Sequence, residues 1–84
     1  MKVIRTGLFS VLKRFPERKD TAKWLFKESE SFQTMCEDYQ KCVKALDHWN
    51  QSEEEIATIR CAEYLTLVQE LEKEILQKLN KFRQ

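Results

Sequence analysis

The chain has 84 residues, 15 of them Lys or Arg and 14 Asp or Glu, and a net charge of +1 lacks the strong basic field of a nucleic-acid-binding domain. One Gly and one Pro leave almost no punctuation for tight turns, which excludes an all-β fold, and a chain this short forms a single domain, residues 1–84. With 35% charged and 42% apolar residues in a mixture rich in Glu, Lys, Leu and Gln, the composition is that of an all-α protein, and its longest apolar run, Trp24 to Phe26, is too short for a membrane span or a signal-peptide core.

Residues 1–15 carry Lys2, Arg5, Lys13 and Arg14 and no acid, whereas residues 16–84 are net acidic. In the same stretch Ile4, Leu8, Val11, Leu12 and Phe15 fall on one helical face. The pattern predicts a short basic amphipathic helix whose interaction face is Lys2, Ile4, Arg5, Leu8, Val11, Leu12, Lys13, Arg14 and Phe15. Such a face docks on the chain's own body, on another chain, or on an anionic membrane surface. Pro16 separates this segment from the rest of the chain, because the residue before a proline is pushed out of helical conformation.

A helix is predicted over 18–49. Leu25, Phe32, Met35, Tyr39, Cys42, Leu46 and Trp49 recur at heptad spacing, with Glu28 occupying one slot of the seam beside Ser29 and Ser31, where a kink or break is expected. Asn50 and Gln51 close this helix, and Ser52 with Glu55 reads as a capping box that opens a second one over 53–82. There Ala57, Cys61, Tyr64, Val68, Leu71, Ile75 and Lys78 form the second seam. A short loop around position 51 makes the two helices an antiparallel, coiled-coil-like hairpin in which facing residue numbers sum to about 103. Cys42 is then expected opposite Cys61, Tyr39 opposite Tyr64, Phe32 opposite Leu71, and Glu28 opposite Ile75.

The hairpin has more apolar residues than one seam absorbs. Ala22, Phe26, Cys36, Val43, Leu65, Leu76 and Leu79 lie beside it and require cover. The N-terminal helix is one candidate cover. The other is a second copy, with Phe26, Cys36, Val43, Leu65, Leu76 and Leu79 as the self-association stripe of a homodimer.

Residues with chemical potential all have simpler readings. Cys42 and Cys61 fit as small apolar fillers better than as a redox pair, and the three cysteines lack the close spacing of a zinc site or the even count of a disulfide framework, which places the chain in the reducing cytoplasm. His48, the sole histidine, suits the last turn of a helix, where it favours the carbonyl dipole. Tyr39 and Tyr64 read as an aromatic packing pair, and Glu28 as the loose point of the seam. No catalytic residue, cofactor, metal or small-molecule substrate is indicated, and no nucleic-acid partner.

The stretch Glu28-Ser-Glu-Ser-Phe-Gln-Thr-Met-Cys-Glu-Asp-Tyr-Gln-Lys-Cys and the stretch Glu63-Tyr-Leu-Thr-Leu-Val-Gln-Glu-Leu-Glu-Lys-Glu-Ile resemble small uncharacterised bacterial proteins of about this length. The resemblance covers roughly residues 20–80, implies a bacterial cytoplasmic protein with a helical hairpin, and brings no activity with it. Sequence therefore predicts a small, non-catalytic interaction or adaptor module that binds protein partners and itself, with a membrane-surface accessory protein docking through the basic N-terminal helix as the alternative.

Overall fold

The computed structural model describes residues 6–82, and of Thr6 only the backbone, so Lys2, Ile4 and Arg5 of the expected basic face lie outside the described residues. Four α-helices succeed one another: α1 (Thr6–Arg14), α2 (Lys19–Glu28), α3 (Glu30–Asn50) and α4 (Ala57–Lys81), with a 3₁₀ turn at Pro16–Arg18 and no strand among the described residues. Helix α1 stops where the proline demands. Phe15 leaves helical geometry at φ −127° and ψ 65°, and Pro16 occupies the first position of the 3₁₀ turn, where its missing N–H is not needed.

The expected helix over 18–49 is two helices. Ser29 adopts an extended conformation (φ −132°, ψ 114°), and its Oγ accepts from the Phe32 amide at 3.1 Å, capping α3. The other side of the break is also satisfied, since the Ser29 amide donates to the Leu25 carbonyl at 2.8 Å and the Gln33 side-chain amide donates to the Phe26 carbonyl. Glu28 is therefore the exposed last residue of α2 and faces no partner in a seam.

Helices α3 and α4 form the hairpin, with a register different from the expected one. The Tyr39 hydroxyl donates to Glu72 Oε2 at 2.7 Å, and the Cys61 thiol donates to Asn50 Oδ1 at 3.3 Å, so eleven residues forward along α3 correspond to eleven residues back along α4. Both pairs sum to 111, where the short-loop reading gives 103. Two expected pairings are thereby corrected: Tyr39 meets Glu72 in place of Tyr64, and Cys61 meets Asn50 in place of Cys42. The cause is at the tip. Ser52 Oγ accepts from the Glu54 amide at 3.1 Å, two residues on, and makes a local turn in place of the expected capping box. Residues 51–56 are all connection, and α4 begins at Ala57, four residues later than the reading from 53.

The face of each helix is as the heptads predict, with no seam residue of α3 or α4 fully exposed. The cover for the second stripe comes from within the chain. Helix α1 lies against α3, and Leu8, Val11 and Phe15 join Phe26, Phe32, Cys36, Ile75 and Leu79 in one core. Helix α1 approaches so closely that a Cβ on Gly7 would stand 2.6 Å from the Cys36 carbonyl oxygen, which is why the only glycine sits there. The break at Ser29 allows α2 to fold beside α1 and bring Ala22, Leu25 and Phe26 into the same core, giving a body of 45 × 31 × 20 Å.

Candidate interaction surface

The residues that sequence singles out for chemistry do not converge. Cys36 is buried, Cys42 and Cys61 are half-buried and not in a disulfide, and His48 is exposed beside the Trp49 ring. Among the described residues no group of three or more His, Cys, Asp or Glu side chains is gathered to hold a metal ion. Burial, reinforced by the neighbouring Glu37 charge, pushes the Cys36 thiol up to about 12, and burial followed by Asp38 raises that of Cys42, so neither is an activated nucleophile at neutral pH.

One polar cluster is well built, and it is structural. Glu72 Oε2 on α4 accepts from the Tyr39 hydroxyl on α3 and from Arg14 Nε on α1 at 2.9 Å, so a single carboxylate ties three helices. Tyr39 is raised first by burial and then by its bond to Glu72, and Arg14 is raised first by its hydrogen bond to the same carboxylate. The two contacts on Glu72 hold α1 at a fixed rotation over the hairpin.

That rotation decides what the basic face offers. Leu8, Val11 and Phe15 are in the core, Leu12 is half-buried, Arg14 is engaged by Glu72, and Lys13 points outward. Among the described residues of the expected face, Val11 and Phe15 are thus turned inward, while Leu8 and Leu12 are reached only from the groove between α1 and α2. The expected self-association stripe is corrected in the same way: Phe26, Cys36 and Leu79 are core, Val43 is half-buried, and only Leu65 and Leu76 remain exposed.

What the fold leaves open is a groove between α1 and α2. Its apolar lining is Leu8, Phe9, Leu12 and Phe26, its rim is Lys23 and Lys27, and its volume is about 470 Å³. Phe9 is 63% exposed, the most exposed large apolar side chain of the described residues. Lys19, Lys23 and Lys27 stand at steps of four along α2 and form an exposed cationic row. Sequence holds both signals: Phe9 falls off the apolar face of its helix, and the three lysines repeat on one face of theirs. A second groove lies between α3 and α4, floored by Cys42 and Leu71 and rimmed by Leu67, Asp38, Glu70 and Glu74 together with Lys41.

No protein-family profile, curated protein or solved structure matches this chain. Among the described residues no helix is long and apolar enough to cross a membrane.

Proposed function

We propose that the protein is a non-catalytic protein–protein interaction module that associates with itself, and that the α1–α2 groove is its contact surface. The observation that carries this reading is Phe9. A phenylalanine held largely in water beside an apolar groove gains about 1.5 to 3 kcal/mol when a partner buries it, and the lysines at the rim select the partner's charge. The three free cysteines support a reducing, cytoplasmic setting for this module. Sedimentation velocity over a concentration series tests it. The wild-type mass is expected to rise with concentration and the Phe9→Lys mass to stay at that of one chain, whereas a wild type that remains one chain throughout contradicts self-association.

A second reading, attachment to an anionic membrane surface, is favoured by a separate observation: Trp24 is 42% exposed on α2, the helix that carries the lysine row. Cosedimentation with anionic vesicles, lost at high salt and in a Trp24→Ala variant, is the result this reading requires, and indifference to vesicles removes it.

A further inference from the structure

Two grooves of this nearly neutral chain differ in charge. The α1–α2 groove has an apolar floor under Lys23 and Lys27, and the α3–α4 groove has an apolar floor under three acids, Asp38, Glu70 and Glu74, and one base, Lys41. From the second of these Leu67 projects at 43% exposure, and Glu70 and Glu74 succeed it at steps of three and four on the same face of α4. Leu67 with its two glutamates is an acidic, apolar helix ridge. A groove with a phenylalanine wall and a lysine rim has the opposite character. The spacing agrees as well, since Lys23 to Lys27 and Glu70 to Glu74 are each four residues, about 6 Å along a helix.

Building on the self-association reading, we infer that the α1–α2 groove of one copy receives the Leu67, Glu70 and Glu74 ridge of α4 from a second copy. This is helix-in-groove recognition with one apolar anchor followed by two ion pairs. Groove against groove would set Lys23 and Lys27 against their own kind, and ridge against ridge would do the same to Glu70 and Glu74, so like-charge repulsion disfavours both symmetric contacts. The two surfaces are also built from different helix pairs. They share no lining residue, so occupation of one leaves the residues of the other free. Copies therefore add head to tail, and association continues past two chains.

The test mixes two variants, each altered at one exposed position. Phe9→Lys disables the groove and keeps the ridge, and Leu67→Lys disables the ridge and keeps the groove. Circular dichroism establishes that each is folded, and Lys27→Glu replaces Phe9→Lys if that variant is not. By sedimentation velocity each variant alone is expected at the 10.1 kDa of one chain. An equimolar mixture is expected to form a capped pair of about 20 kDa and to stop there, because each partner supplies the one surface the other lacks. If the wild type associates and the mixture stays at one chain, or if either variant alone still associates, head-to-tail docking is overturned while self-association stands. If the wild type is a single chain up to about 1 mM, both are overturned.

Discussion

Gly7 shows how one residue sets the position of a helix. An exposed glycine inside a helix ordinarily gains about 0.5 to 1 kcal/mol on replacement by alanine. Here the added methyl would meet the Cys36 carbonyl and the Glu37 amide nitrogen at 2.6 and 2.8 Å, and backbone does not yield as a flexible side chain does. Gly7→Ala is expected to cost about 1 to 3 kcal/mol by urea unfolding. A gain in stability would contradict the close approach of α1 to α3. Cys36, on the other side of that contact, gives a pH prediction. Its folded thiol is raised from 9.0 to about 12, chiefly by burial, and the Tyr39 phenol is raised as well. A group with a raised folded value contributes stability that is complete below its unfolded value and is lost as the pH climbs toward the folded one. Stability is therefore expected to fall between pH 9.0 and about 12, and Cys36→Ala to flatten the slope of unfolding midpoint against pH in that window. An unchanged slope would show that this thiol does not report burial.

At the scale of elements, the helix cap lies at Ser29 and not at the expected Ser52. Ser52, with Glu55 three residues on, has the stronger sequence signature, yet its hydroxyl holds a two-residue turn, and Ser29 caps α3 through the Phe32 amide. Ser29→Ala is expected to cost about 1 kcal/mol and Ser52→Ala a few tenths. Equal costs, or the reverse order by thermal melts of the two variants, would restore the capping box. The turn at Ser52 also bears on how much of the hairpin is legible in the sequence. The faces are legible because seven-residue spacing names the buried positions of each helix in isolation, as Phe32, Tyr39, Val68 and Ile75 show. The register is not, because sliding one helix by about a heptad keeps every seam residue on the seam, and 103 differs from the observed 111 by close to that step. Only the connection breaks the degeneracy, and Ser52 misplaces the start of α4. The break at Glu28 is visible as a flaw in the pattern. Its effect on packing, the folding of α2 alongside α1, depends on contacts far apart in sequence.

For the whole molecule, the placement of α1 determines which surfaces remain. Sequence identifies an apolar stripe without cover and an amphipathic helix able to cover it, and it leaves open whether that helix lies on its own chain. With α1 on α3 and Arg14 held by Glu72, Phe26, Cys36 and Leu79 of the expected stripe become core, and exposed apolar side chains remain at Phe9 beside the α1–α2 groove and along α4 at Ile59, Leu65, Leu67 and Leu76. Phe9 is legible only as a residue off the apolar face, because its exposure depends on the rotation fixed by the Tyr39, Glu72 and Arg14 cluster. Replacing Glu72 by Gln is expected to lower the urea unfolding midpoint, since the charge-assisted bond to Arg14 is lost, and an unchanged midpoint would remove the cluster as the lock on α1. All of these surfaces follow from α1 docking on its own chain. Isotope-filtered NMR on an equal mixture of labelled and unlabelled protein tests it directly, through the cross-peak between the Gly7 α-protons and the Glu37 amide proton. This cross-peak is expected in the uniformly labelled sample and is expected to be absent from the spectrum filtered for contacts between chains. Its appearance in the filtered spectrum would mean that α1 packs on a neighbouring copy, and the α1–α2 groove would not exist in a single chain.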